Sequence, residues 1–253
     1  MNATFTGLEL RRVLRDYVSM FFIAVLPAFF YLIFGAAQES SSEDAGNGNV
    51  AMYVMISMAA YGAVTATTGI GGMAAVERMQ GWGRQLGLTP LRDSGYVLMK
   101  AVVAVVVAAI PITLIYLLGI LTDAEGSVGA WLLSALVVLA GAAGFALYGL
   151  VFGLAFRSEA AVSAASGSLV ILAFLGNIFI PLSGTLLTIA KFTPLYGYVS
   201  LARYPVTEGY LVDTSNGTVT HEELWVPLVN VSVWALIFAL LATWLVRRGR
   251  SRQ

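Results

Sequence analysis

The sequence predicts an all-α membrane protein with six transmembrane helices, cytoplasmic N- and C-termini and an N-terminal amphipathic interface helix, in a single domain covering residues 1–253. Three observations lead there. Of the 253 residues 58% are hydrophobic and 11% charged, where a soluble domain carries about 25% charged residues to face water, and the mean hydropathy is +0.83. Six apolar runs without Asp, Glu, Lys or Arg are long enough for the roughly 20 residues a spanning helix needs. The charges sum to zero, yet the connecting segments share them unevenly.

Residues 1–16 precede the first run. Leu10, Val13, Leu14 and Tyr17 recur at helical spacing, while Glu9, Arg11, Arg12, Arg15 and Asp16 fill the other face. This pattern predicts an amphipathic helix on the cytoplasmic membrane surface, the alternative being a basic flank without regular structure. Thr6-Gly7-Leu8-Glu9 fits a capping box at its start. The six runs follow at Tyr17–Ala37, Val50–Val76, Ala101–Thr122, Val128–Phe156, Ala160–Leu187 and Leu224–Val246. The first is too long for the roughly 7–15-residue core of a signal peptide. The fifth is interrupted by Pro181, Ser183 and Gly184, so its span is expected to close near Ile180. Barrel strands are excluded, because the runs do not alternate apolar and polar residues. Pro27 and Pro111 predict bends, Gly149 and Gly153 a close helix contact, and Gly69-Ile70-Gly71-Gly72 a loosened end of the second helix. The Ser- and Gly-rich loop 38–49 reads as flexible, and Asn216-Gly217 as a hairpin turn.

The segments on one side of this arrangement hold twelve basic and five acidic residues, a net of +7; those on the other hold two basic and nine acidic, a net of −7. By the positive-inside rule both termini are cytoplasmic. Several chemistries are missing. There is no cysteine, hence no disulfide, thiolate ligand or thiol nucleophile. No phosphate-binding Gly-x-x-x-x-Gly-Lys-[Ser/Thr] occurs. The single histidine, His221, lies in an acidic loop beside Glu222 and Glu223 and reads as a solvated side chain rather than a metal ligand. Ser166 sits in an apolar run with no histidine in any run, so it is a packing residue rather than a protease nucleophile. No ionisable residue interrupts the runs, whereas ion-coupled transporters commonly carry one to bind the coupling ion. A pump of this composition takes its energy from a cytoplasmic partner.

The loop between the second and third runs is where such a partner docks. It carries Glu77-Arg78 at the foot of the second helix, Gly81, Trp82, Gly83, Arg84 and Leu86, then Thr89-Pro90-Leu91, and Tyr96 ahead of Lys100. After the fifth run come Phe179-Ile180-Pro181, Lys191-Phe192-Thr193-Pro194-Leu195-Tyr196 and Ala202-Arg203. In this order, on six runs, the two segments resemble the membrane subunits of ABC-2 type transporters, the daunorubicin-resistance-like drug exporter permeases. The resemblance covers the whole chain in topology and two segments in sequence.

That resemblance implies a coupling segment at 77–95, in which Glu77, Arg78, Gly81, Arg84, Leu86, Thr89, Pro90 and Leu91 form or brace a short helix seated in an ATPase subunit. Pro90 ends that helix, and Gly81 and Gly83 shape its approach; the alternative is an ordinary solvated basic loop. It implies an extracellular re-entrant and hairpin region at 181–223 containing Pro181, Pro194, Tyr196 and Arg203. It also implies a dimer with a second permease copy or homologue, working with ABC ATPase subunits. This chain then has no cofactor, ATP and Mg being held by the ATPase partner, and it contacts membrane lipid but no nucleic acid. Tyr53, Ser57, Tyr61, Thr65 and Thr68 form one polar stripe on the second helix, and Ser163, Ser166 and Asn177 share a face of the fifth. In such a permease these stripes supply the polar groups of a substrate cavity; the alternative is that the hydroxyls bond their own backbone and Asn177 joins helices. The expected function is ATP-driven export of a hydrophobic or amphiphilic small molecule, drug, lipid or peptide. An energy-independent channel or membrane anchor is the competing reading.

Overall fold

The computed structural model describes residues 3–77, 80, 93–156, 159–212 and 219–250. Its helices are α1 (Ala3–Leu14), α2 (Tyr17–Ala36), α3 (Val50–Glu77), α4 (Asp93–Leu121), α5 (Val128–Phe156), α6 (Glu159–Leu175), α7 (Gly184–Ala190), α8 (Pro194–Thr207) and α9 (Trp225–Arg250). A two-stranded antiparallel ribbon joins β1 (Tyr210–Val212) to β2 (Val219–His221), with Val212 opposite Val219. The predicted Asn216-Gly217 turn lies outside the described residues.

Among the described residues five helices are long and apolar enough to cross a bilayer: α2, α3, the Met99–Leu121 part of α4, α5, and Trp225–Arg248 of α9. The fifth predicted run does not form a helix to Ile180. It gives α6, which has 17 residues, about 25 Å at 1.5 Å per residue against a hydrocarbon core of about 30 Å. Gly176 and Asn177 end it, Asn177 taking the left-handed φ of 58°.

The α1 helix is already formed at Ala3, so Thr6 lies inside it and not at its start. The first capping carboxylate belongs instead to Asp16, which accepts from the Ser19 amide (3.1 Å) and hydroxyl (2.6 Å) at the start of α2. In α2 the backbone loosens into π-turns at Phe21–Val25 and Leu32–Ala36, on either side of the segment holding Pro27. Pro111 lies within a continuous α4, seated where Gly62 leaves room for its ring.

The centre of the molecule is α3, whose residues 55–64 are buried throughout. Its length packs on α5, and glycine makes that approach possible. A side chain at Gly71 would overlap the Ala146 carbonyl, and one at Gly149 the Thr68 carbonyl. Gly153 leaves space for Ala75 and the Gly72 carbonyl. The glycine cluster of α3 is thus a packing surface and not a frayed end, because α3 runs unbroken to Glu77.

Two short helices follow α6. Thr193 caps α8 and Pro194 opens it; Tyr198 is sunk against α5, where Gly141 makes room and its hydroxyl donates to the Val138 carbonyl at 2.8 Å. Carbonyls freed between α7 and α8 are met by α9. Asn230 Nδ2 donates to Lys191 and Thr193 (2.8 and 3.2 Å), and Trp234 Nε1 to Phe192 (2.9 Å). Loop 38–49, predicted flexible, is organised by its asparagines. Asn49 Oδ1 accepts from the Met52 and Glu125 amides at 3.0 Å each while its Nδ2 donates to the Asp123 carbonyl. Asn47 Nδ2 reaches Glu208 Oε1 at 2.8 Å.

Candidate functional site

Along the α3 face not covered by α5 runs a cavity of about 600 Å³. It extends from Tyr61 to Glu77, which at 1.5 Å per residue is about 24 Å. The walls are largely apolar: Phe22 and Ile23 of α2, Ile70 and Met73 of α3, and Val162 and Val170 of α6. The foot is ionic, with Glu9, Arg12, Glu77 and Lys100, and Asp16 lies at the same end.

Four residues from three helices form that foot. Lys100 Nζ stands 2.5 Å from Glu9 Oε1 and 2.7 Å from Glu77 Oε2. Arg12 Nη1 donates to Glu77 Oε1 at 2.8 Å and lies 3.8 Å from Glu9 Oε2. Glu77 and Lys100 are more than nine-tenths buried. Two acids and two bases neutralise one another, which is the condition under which buried charge is tolerated. The geometry joins α1 to the end of α3 and the start of α4, the two helices that bracket residues 78–92. Asp16 keeps its own hydrogen bonds, and the Ser19 hydroxyl and amide hold its carboxyl below the usual carboxylate range.

The opposite end is closed by aromatic rings. Phe179, from the turn after α6, meets Tyr61 of α3, Phe30 of α2 and Phe174 of α6 at ring centroids of 5.2, 5.7 and 5.1 Å. Beyond this cluster Arg203 of α8 is 4% exposed. Its Nε and Nη2 donate to Ser57 Oγ (2.8 and 2.5 Å), Nη2 also donates to the Asn177 carbonyl (2.8 Å), and the guanidinium lies 4.0 Å from the centre of the Tyr53 ring. Arg203 makes no ion pair among the described residues. Nearby, Glu222 accepts from Tyr196 and Ser200 (3.2 and 2.9 Å) and stands 3.3 Å from Lys191.

The predicted polar stripes divide between these places. Tyr61, Thr65, Ser163 and Ser166 come together on the cavity. Thr65 also donates to the Tyr61 carbonyl and Ser57 to the Tyr53 carbonyl. Tyr53, Ser57 and Asn177 surround Arg203, and Thr68 is buried against the Phe145 carbonyl of α5 at 3.3 Å. Pro181 is exposed ahead of α7; Pro194 and Tyr196 are buried in α8. Arg78, Gly81, Arg84, Leu86, Thr89, Pro90 and Leu91 lie outside the described residues. Sequence reasoning missed Glu9, Arg12 and Phe179 as parts of the site. The local signal for the first two was an i,i+3 pair on α1, which looks like a solvated face until Glu77 and Lys100 are brought to it. Among the described residues no group of His, Asp and Glu could hold a metal; the His221 Nε2 is 3.1 Å from the Glu208 carbonyl.

Several apolar helices around an apolar, ion-footed cavity define a multi-pass membrane protein. The chain is 26% identical over 245 residues to a Bacillus subtilis (strain 168) protein named "Putative transport permease YvfS", with 95% of this chain and 94% of that protein aligned. No protein-family model matches the chain.

Proposed function

We propose that the chain is the permease subunit of an ATP-driven, ABC-2 type exporter, spanning the membrane six times with cytoplasmic termini and pairing with a second permease and separate ATPase subunits. Its cargo is a hydrophobic or amphiphilic molecule: a drug, lipid or peptide. The observation that carries this reading is the cavity. Its walls suit an apolar body, its foot offers charge and hydrogen bonds to a polar group, and that foot is built where residues 77–95 leave and rejoin the spans. In this reading ATP-driven closure of the ATPase subunits moves the 77–95 segment, and the ionic foot carries the movement to α1 and thence to α2, one wall of the cavity. The permease name of the Bacillus relative, aligned over nearly its full length, agrees with it.

The test is copurification with the ATPase encoded beside the gene, then ATP turnover and cargo movement in lipid vesicles. Arg84→Glu and Pro90→Gly are expected to lower cargo-stimulated turnover at least tenfold. Undiminished turnover and transport after residues 78–91 are replaced by a Gly-Ser linker would overturn the coupling role.

A further inference from the structure

We propose that Arg203 is the positioning residue that keeps the cavity shut at its aromatic end, and that breaking its contacts opens the cavity to the outer face. The inference rests on the exporter reading for which face is outer; the latch itself rests on the contacts. One side chain ties three separate segments together: α8, which carries it, α3 through Ser57 and Tyr53, and the turn after α6 through the Asn177 carbonyl. That turn is the piece that needs holding. Asn177 adopts a left-handed backbone, the conformation in which asparagine commonly ends a helix, and there the chain leaves the helical path. Its Oδ1 accepts from the Leu182 amide at 2.8 Å, and its carbonyl is given to Arg203. Two residues further on, Phe179 is delivered against Tyr61, the residue at the upper limit of the cavity. Ser57 lies one helical turn beyond Tyr61 on α3, so Arg203 fastens the turn directly behind the ring it places.

The composition of the latch favours release. A buried guanidinium held by a hydroxyl, a carbonyl and a ring face makes several moderate contacts. A buried carboxylate partner would make release costly, since parting the two would leave the opposite charge unpaired in low dielectric. Arg203 has no such partner among the described residues, whereas Glu222 spends its carboxylate on Tyr196, Ser200 and Lys191. Outward movement of α3 relative to the α6 turn therefore separates Ser57 from Asn177 without stranding an opposite charge.

The chain has no cysteine, so a thiol placed at Thr65 on the cavity wall reports access cleanly. Thr65→Cys is reacted with a membrane-impermeant thiol reagent in right-side-out and inside-out vesicles without nucleotide. With Arg203 intact, labelling is expected from the cytoplasmic face and not from the outer face. Arg203→Gln, Ser57→Ala and Phe179→Ala are each expected to raise the outer-face rate at least tenfold, while a thiol at the fully packed Ala108 stays protected in the same backgrounds. Arg203→Lys should recover part of the protection. Ser57→Ala and Phe179→Ala raising the labelling rate from neither face overturns the latch, whether or not Arg203→Gln folds; so does rapid labelling of the parent from both faces, or equal exposure of Ala108→Cys. An increase seen only in inside-out vesicles supports the latch and overturns the orientation assigned to the exporter.

Discussion

A lysine ammonium between two carboxylates gains from both only while all three are desolvated together, and this sets Lys100 apart from Arg12. The Lys100 side chain is 9% exposed and the Arg12 side chain 57%. Removing one member of a buried pair costs about 3–5 kcal/mol because the opposite charge is left in low dielectric, whereas an exposed pair contributes about 0–1 kcal/mol. Lys100→Met is therefore expected to lower the thermal unfolding midpoint in detergent far more than Arg12→Gln. Exchanging the charges as Glu77→Lys with Lys100→Glu should recover part of the loss. Equal effects of Lys100→Met and Arg12→Gln would show that the foot is solvated and carries no structural weight. None of this is legible in the amino-acid order, since Arg12 and Glu77 are 65 positions apart and Glu9 and Lys100 are 91. Charge at helix ends reads as a membrane boundary, and the pairing across three helices needs the fold.

At the scale of elements, the helices were legible because a long apolar run free of charge suits a lipid environment, where the backbone must satisfy its own hydrogen bonds. Val50–Glu77 and Val128–Phe156 begin and end within a residue of their apolar runs. Two misreadings share one physical cause: small residues look permissive locally and become restrictive on contact. Gly69 to Gly72 reads as looseness until Ala146 of α5 lies against Gly71, and loop 38–49 reads as flexible until Asn49 fills its bonds across to 123 and 125. The α3–α5 contact gives a discriminating prediction. Gly71→Leu is expected to destabilise by about 1–3 kcal/mol, the usual cost of forcing volume into a packed site. Gly144→Ala lies on the same α5 helix but meets nothing within 4 Å, and replacing a helical glycine by alanine is worth up to about 1 kcal/mol in its favour. Unfolding midpoints in detergent should therefore move in opposite directions, or fall for Gly71→Leu alone. A fall of the same size in both would mean that the glycines matter for backbone freedom and not for close approach. The polar stripes were legible only in part. Spacing placed Tyr53 to Thr68 along one side of α3, but a stripe that long meets several neighbours, and Arg203, α5 and the cavity each take a share.

For the whole molecule, a 17-residue α6 has to fit a chain whose charges are cleanly divided. If α6 did not cross the membrane, the crossing count would be odd and the two ends of the chain would face opposite sides. Arg247, Arg248, Arg250 and Arg252 would then be on the face away from Arg11, Arg12 and Arg15, while the segment carrying Glu208, Asp213, Glu222 and Glu223 would join the basic side. Both placements run against the preference of Lys and Arg for the cytoplasmic side. A crossing α6 removes the conflict, and its shortness has an answer nearby. The turn at 176–180 and helices α7 and α8 continue the path beyond Leu175, and Gly176, Asn177 and Ile178, where the backbone leaves the helix, are buried, as non-helical backbone near the membrane core must be. The absence of native thiols makes the crossing directly testable. Single cysteines at Arg15, Thr220 and Ser251 should divide, with the first and last labelled by an impermeant reagent only from the cytoplasmic face and Thr220→Cys only from the outer face. Labelling of Arg15→Cys and Thr220→Cys from one face, with Ser251→Cys on the other, would mean that α6 lies within the membrane without crossing it. The charge division would then have to be redrawn.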